Sequence, residues 1–144
     1  MRPASIVRFD QIFLGSLALG VVNTALSYNI TMAQIEADPA MAELGVTGAG
    51  FLISSIVIGF GFSLLLWFFV SRRASTVAKW ILVVLTLIGL LSVPLALIDL
   101  PFVQAAITVV TAVMQLAALW CLFRPDANAW FEHGPIGMDP STFD

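Results

Sequence analysis

Residues 63–84 read SLLLWFFVSRRASTVAKWILVV, and this stretch decides the fold. Two apolar runs meet here at a short connection that carries Arg72, Arg73 and Lys79. Each run continues away from these basic residues for about the 20 residues that a helix needs to cross the hydrocarbon of a bilayer. Basic residues stay on the cytoplasmic side of membrane proteins with short loops. The stretch therefore predicts one helix that enters the cytoplasm and a second that leaves it.

The remaining basic residues repeat this pattern along the chain. Arg2 and Arg8 precede the first apolar run, and Arg124 follows the last one. The charged residues of the two other connections are all acidic, namely Glu36, Asp38, Glu43 and Asp99. All six basic residues therefore fall on one side of the predicted spans, which places both termini in the cytoplasm.

The apolar runs cover residues 11–30, 46–70, 78–98 and 102–123. Backbone groups in lipid must be satisfied within their own segment, so runs of this length predict helices. The predicted fold is an all-α, antiparallel four-helix bundle in the membrane, followed by a cytoplasmic tail over residues 124–144.

Composition excludes several classes of protein. The chain has 144 residues, of which 60% are hydrophobic and 10% charged, whereas about a quarter of a soluble domain is charged. Nucleic-acid binding needs a dense basic stripe, and the sequence has none. Cys121 is the single cysteine, so an intrachain disulfide is excluded. The lipid bilayer is the partner that the composition indicates.

The first apolar run has a second interpretation. Arg2 and Arg8, an apolar stretch and then Ala25-Leu26-Ser27 together resemble a signal peptide with its cleavage site. The apolar stretch is longer than a typical signal core, which favours an uncleaved span.

Acidic residues near the ends of the runs are expected to cap helices. Asp10 is expected to cap the first helix and Asp99 the fourth. In the outer connection, Asp38 is expected to cap a short helix that contains Glu43 and ends at Gly45.

The tryptophan residues also lie toward the side of the spans that carries the basic residues. Indole rings favour the headgroup layer of a membrane. Four of them lie near the basic side and are predicted to anchor the bundle at that interface, namely Trp67, Trp80, Trp120 and Trp130.

Uncharged polar residues recur inside two of the spans at spacings of four, three and four. In the first span they are Ser16, Gly20, Asn23 and Ser27. In the fourth span they are Gln104, Thr108, Thr111 and Gln115. This spacing places each set on one helix face, which should point into the bundle. The residues Asn23, Ser27, Gln104, Thr108, Thr111 and Gln115 are therefore predicted to form either a polar path or interhelical hydrogen bonds.

The second span adds a stripe of small residues, Ser55, Gly59 and Ser63. Small residues let another helix backbone approach closely, so the stripe predicts helix packing. No ionisable residue lies in the middle of any span, whereas proton-coupled transporters and ion channels usually carry one there. This absence favours packing over a transport path.

No residue pattern predicts a metal, a cofactor or catalysis. His133 is the single histidine, and its nearby carboxylates, Glu132 and Asp139, have no recognisable ligand spacing. A haem would need an axial ligand within the spans, and catalytic triads or paired carboxylates at depth are absent. The sequence therefore predicts a non-enzymatic protein.

The segment Leu122-Phe123-Arg124-Pro125-Asp126-Ala127-Asn128-Ala129-Trp130-Phe131 resembles the ending of many small bacterial inner-membrane proteins with four spans. These proteins close with an arginine or serine turn, a proline or small residue, and then Ala-Trp-Phe. The resemblance implies a bacterial inner-membrane location and supplies no activity. Physically, Trp130 and Phe131 are expected to re-enter the interface as a short amphipathic anchor.

Two functions fit these patterns. The first is a non-catalytic accessory or scaffold subunit of a bacterial inner-membrane complex, or a protein that assembles with itself. The second is a small transporter or channel for a neutral or weakly polar solute.

Overall fold

The computed structural model describes residues 2–40, 48–98 and 100–133. These residues form four long helices and one short helix: α1 (Ala4–Ala37), α2 (Gly48–Arg73), α3 (Thr76–Ala96), α4 (Phe102–Leu122) and α5 (Pro125–His133). The four long helices are each long and apolar enough to cross a membrane. The prediction of an all-helical chain with four apolar helices is confirmed. The predicted outer helix around Glu43 and Gly45, the Asp99 cap, Asp139 and the last eleven residues lie outside the described ranges.

Helix α1 differs most from its predicted span of 11–30. It begins at Ala4, so Asp10 lies inside the helix, and the prediction that Asp10 caps it is wrong. Hydropathy marks where a chain contacts lipid, whereas a helix can continue beyond that contact. Pro3 occupies the position before the helix, and its side chain makes no capping hydrogen bond.

The turn between α2 and α3 is short because one residue takes a left-handed conformation. Ala74 has φ 50°, which is uncommon for a residue with a Cβ. Ser75 follows and caps α3, since its hydroxyl accepts a hydrogen bond from the Ala78 N–H at 3.2 Å. The two helices therefore contact each other directly beyond the turn.

The buried apolar residues gather at one end of the molecule, where α5 packs against the long helices. We call this region the basic end, because Arg2, Arg72 and Lys79 lie there. Its core consists of Ile6, Phe9, Phe13, Leu66, Val70, Ala74, Ala78, Leu82, Val83, Ala118, Leu119, Cys121, Leu122, Ala127 and Trp130. The rings of Phe9 and Phe13 stack with their centroids 5.3 Å apart. All five helices contribute to this core.

A buried carboxylate joins α1 to α2 at the basic end. Asp10 is 9% exposed and accepts hydrogen bonds from the Arg2 guanidinium at 2.5 Å and from Trp67 Nε1 at 2.9 Å. Arg2 also donates to the Ser71 hydroxyl at 3.1 Å. A buried charge is tolerated when it is paired and hydrogen-bonded, and Asp10 has both kinds of partner.

Helix α5 folds back onto the bundle. Lys79 Nζ donates to Asn128 Oδ1 at 3.1 Å, and it lies 4.5 Å and 4.8 Å from the ring centroids of Phe123 and Phe131. Such cation–π contacts add to the attachment of the helix. Trp130 is only 8% exposed, so it packs in protein.

The predicted tryptophan anchors therefore divide into two pairs. Trp130 of α5 is buried in the basic-end core, and Trp67 is half-buried, with its Nε1 donating to Asp10. Their assignment to the lipid interface stays a prediction, and these contacts give both a role within the bundle as well. Trp80 and Trp120 are 54% and 75% exposed and keep that assignment as a prediction.

Asp126 supplies the cap that Pro3 cannot give to α1. The Ser5 backbone N–H, in the first turn of α1, donates to Asp126 Oδ2 at 3.1 Å. Interaction with Ser5 lowers the pKa of the Asp126 carboxyl and outweighs desolvation, which acts in the opposite direction. A carboxylate at a helix N-terminus also interacts favourably with the helix dipole. The tail thus stabilises the start of the chain.

Truncation of Phe9 tests the basic-end core. Phe9 is fully buried, so Phe9→Ala should lower the free energy of unfolding by about 3–5 kcal/mol. Phe62 in α2 is 46% exposed, and Phe62→Ala is the matched control with a much smaller expected loss. Unfolding in a mild detergent, followed by circular dichroism, measures both. Equal losses for the two variants would contradict the assignment of the core.

The Asp126 contact predicts a pH dependence. Because the folded-state pKa of Asp126 is lowered, its contribution is present above the ordinary carboxyl pKa of about 4 and is lost as the pH falls through the lower, folded-state value. Asp126→Ala should lower the Tm at neutral pH, and the difference from wild type should shrink in acid. Glu132→Gln on the same helix is the control. A Tm difference that is constant with pH would contradict a charged cap.

Candidate binding cavity

The half of the molecule away from the basic end contains a cavity of about 620 Å³ between α1, α2 and α4. Sites for small molecules in proteins commonly measure about 300–1,000 Å³. Its polar lining consists of Ser16, Asn23, Thr24, Ser27, Thr31, Ser55, Ser63, Thr108, Thr111 and Gln115. Apolar residues such as Leu52, Ile56 and Phe60 complete the wall. The cavity is therefore amphipathic.

The cavity ends at the basic-end core. Ser16 lines it and lies one helical turn after the core residue Phe13, whereas Thr31 lines its far end. The 15 residues between Ser16 and Thr31 correspond to about 22 Å of helix. Leu100, after α3, also contributes to the far end. The cavity is consequently long and is closed by packed side chains on one side.

One hydrogen-bonded chain fixes the orientation of Asn23. The Thr108 hydroxyl donates to the Gln104 carbonyl at 2.8 Å, so its oxygen can only accept from Asn23. Asn23 Nδ2 donates to Thr108 Oγ1 at 3.1 Å, which joins α1 to α4. One of the two N–H hydrogens of the Asn23 amide is used in this contact. Its carbonyl oxygen is left as a buried acceptor.

Three oxygens of the cavity residues lack hydrogen-bond partners in the part of the chain that the structure describes. They are Asn23 Oδ1, Ser27 Oγ and Thr111 Oγ1. A buried polar atom without a partner costs about 1–3 kcal/mol. All three belong to residues that line the cavity, on α1 and α4.

Four other hydroxyls of the wall have already used their hydrogens. Ser16, Thr24, Ser55 and Ser63 each donate to a carbonyl of their own helix at 2.7–2.8 Å. Hydroxyls in this arrangement retain only lone pairs for other partners. These four hydroxyls therefore act only as acceptors toward other groups.

Among the described residues that line the cavity, none carries a charge. A smaller cavity of about 250 Å³ adjoins it and shares Gly20, Asn23, Thr108, Thr111 and Gln115. Gly89 and Val93 of α3 complete this second space. The interior of this half of the molecule is uncharged on every described side, which suits a neutral occupant.

The structure brings together five of the six residues predicted to form a polar path or interhelical contacts, namely Asn23, Ser27, Thr108, Thr111 and Gln115. Gln104 lies beside the cavity, with its Nε2 3.5 Å from the Leu26 carbonyl. The sequence interpretation did not include Thr31, although it lies four residues after Ser27 and continues the same face. Thr24 lies off that face, so the spacing could not predict its place in the cavity wall.

The stripe of Ser55, Gly59 and Ser63 also lines the cavity. A Cβ on Gly59 would meet no described atom within 4 Å, so no described helix of this chain packs closely there. Helix packing by this stripe therefore stays a prediction, and no described helix of this chain is the partner. Small residues on a helix in lipid suit an open space as well as a packed contact, and the spacing alone does not distinguish the two.

Comparison of the chain with protein families, curated proteins and solved structures finds no match.

Glycine substitutions test the open space. A Cβ at Gly59 or Gly61 meets no described atom within 4 Å, so Gly59→Leu and Gly61→Leu should leave the Tm close to wild type. A Cβ at Gly48 would lie 3.2 Å from Ile35 Cγ2, so Gly48→Leu should lose about 1–3 kcal/mol by overpacking. Thermal unfolding in one detergent measures all three. A large loss for Gly59→Leu alone would contradict the cavity.

Proposed function

We propose that this protein is a small membrane transporter that binds a neutral or weakly polar solute in the cavity between α1, α2 and α4. The observation that carries the proposal is the cavity itself, with its uncharged amphipathic lining. Hydroxyl and amide groups of Ser55, Ser63 and Gln115 lie in that lining, which suits an occupant that forms hydrogen bonds. Chemistry on the solute is not part of this role, and the protein is proposed to be non-enzymatic.

The closed end of the cavity supports a carrier over an open pore. Phe13, Leu66 and Leu119 lie in the packed core below the cavity, where a continuous pore would need open space. A carrier binds its solute from one side and then rearranges to release it on the other. The structure resembles one such state, in which the passage at the basic end is shut.

For location, we propose a multi-pass protein of the bacterial inner membrane, with the helices antiparallel and both termini in the cytoplasm. The four apolar helices support insertion in a membrane. The positions of the basic residues support this orientation, and the resemblance of residues 122–131 supports the bacterial location. The cavity then lies in the half of the bundle nearer the outer side.

A second candidate function is a non-catalytic accessory or scaffold subunit, either of a larger membrane complex or of an oligomer of this chain. The bare face around Gly59 and Gly61 favours it, because small residues let a helix from another subunit approach closely. Native mass spectrometry after gentle purification tests this role. A lone monomer would count against it.

Solute entry into proteoliposomes tests the transporter. Vesicles with purified protein should admit glycerol, erythritol or urea faster than protein-free vesicles, and should not admit potassium gluconate, because the lining is uncharged. Gly59→Leu should reduce entry at least severalfold, since its side chain starts at the cavity wall. Gly61→Leu is the matched control and should retain entry. Light scattering after an osmotic step measures these rates.

Two results would contradict the proposed transporter. The first is entry of every probe at the rate of protein-free vesicles. The second is an equal effect of the two glycine variants, which would place the path elsewhere in the protein.

A further inference from the structure

We propose that the cavity takes neutral amphiphiles with a single hydrocarbon chain, such as long-chain alcohols and monoalkylglycerols, whose chain lies in a gap between α2 and α3 that opens to the bilayer. This inference rests on the proposed function and names the chemical class of the solute. It follows from the paths of α2 and α3 beyond the basic end.

The buried residues of α2 and α3 that share a core lie close to the turn between these helices. In α3 the buried residues end at Val83, and no described residue of this helix after it is buried. In α2 no residue between Leu52 and Leu66 is buried. Packing therefore holds the two helices together at the basic end and not along their length.

At the far end of the molecule the two helices have different neighbours. A Cβ at Gly48, the first residue of α2, would lie 3.2 Å from Ile35 Cγ2 near the end of α1. The end of α3 is instead tied to the start of α4, because only residues 97–101 connect them. The two helices therefore diverge from their shared turn.

The divergence leaves open space between α2 and α3. Ser55 and Gly59 on α2 line the larger cavity, and Gly89 and Val93 on α3 line the smaller one, while both cavities share residues of α1 and α4. A Cβ at Gly59 or Gly89 would meet no described atom within 4 Å. We call the space bounded by these four residues the α2–α3 gap.

The surroundings of the α2–α3 gap are apolar. Ile58 and Ile88, which precede the two glycines, are 70% and 56% exposed, and Leu91 on α3 is 77% exposed. Both glycines lie near the middle of helices that are long enough to cross a membrane. At this depth the exposed side chains contact lipid, so the gap gives a solute dissolved in the bilayer access to the cavity.

The size of the space favours a hydrocarbon chain over a helix from another subunit. The larger cavity holds about 620 Å³. A helix is about 10 Å across, so the 22 Å length of the cavity would require roughly 1,700 Å³ for a helix. A single hydrocarbon chain is much thinner than a helix and fits a narrow space of this length.

The polar wall determines which head group accompanies the chain. A chain gains little when it leaves lipid for the cavity, because both surroundings are apolar. Selection therefore depends on the head, which meets the hydroxyls of Ser55 and Ser63 and the amide of Gln115. The described lining carries no charge, and an unpaired charge is costly to bury, so a head with neutral hydroxyls is favoured.

Photo-crosslinking in phospholipid nanodiscs tests this class of solute. The probe is 1-O-hexadecylglycerol with a diazirine in the middle of its chain, and peptide mass spectrometry locates the labelled residues of the full-length protein. Label should concentrate on the residues of the α2–α3 gap. Unlabelled 1-O-hexadecylglycerol should reduce it severalfold, whereas hexadecyl sulfate, with the same chain and an anionic head, should not.

A matched pair of variants tests the path of the chain. Gly89→Phe fills the α2–α3 gap from the α3 side without belonging to the lining of the larger cavity, so it should reduce the competed label severalfold. Gly61→Phe is the control, because Gly61 also faces open space but lines neither cavity, and it should retain the label. Thermal unfolding of both variants verifies that they are folded.

The possible outcomes distinguish the inference from the proposed function. Label spread over the exposed faces of all four long helices, without competition, would overturn the inference, and glycerol entry into proteoliposomes would then leave the transporter standing. Specific labelling of the gap without glycerol entry would do the reverse. Equal competition by hexadecyl sulfate would overturn the neutral head group. Disulfide-linked dimers of Gly89→Cys in a Cys121→Ala background, with loss of the label, would place a second copy at the gap and overturn the inference.

Discussion

The buried carboxylate of Asp10 is the constraint on which the arrangement of the helices depends. A charge in this position must be paired, and Arg2 and Trp67 reach it from two directions. Arg2 in turn contacts Ser71, so the start of α1 is held beside the end of α2. Asp126 and Lys79 attach α5 to α1 and α3 in the same region. The polar contacts and the apolar core thus brace the same end of the molecule.

The opposite half has far fewer contacts of this kind, and this difference produces the cavity. Asn23 and Thr108 join α1 to α4 there, while the hydroxyls of Ser55 and Ser63 bond within α2. In a membrane, lipid surrounds the outer faces of the helices, so no hydrophobic force drives the helices together along their whole length. A bundle braced at one end can therefore keep an open interior at the other. This is a suitable architecture for binding a small neutral molecule within the membrane.

The sequence predicted the four long helices and the inward polar faces of α1 and α4, because hydropathy and spacing report directly on membrane contact and helix periodicity. It could not predict that Asp10 lies inside α1 or that the side chain of Trp130, on α5, is buried in the basic-end core. Lipid and protein interiors are equally apolar, so a hydrophobic residue carries no signal for which of them surrounds it. The same limit applies to Gly59, whose small size suits either a packed helix or an empty space. These features depend on tertiary contacts that local sequence does not encode.

Thiol accessibility provides the most direct test of a molecule that is packed at its basic end and open in its other half. In a Cys121→Ala background, single cysteines at Thr24, Ser63 and Gln115 should react with a small, membrane-impermeant methanethiosulfonate reagent in proteoliposomes, because these half-buried residues line the cavity. A cysteine at Ser71, which is fully buried at the basic end, should stay unmodified over the same period. Equal protection at all four positions would show a bundle packed along its whole length and would contradict the cavity.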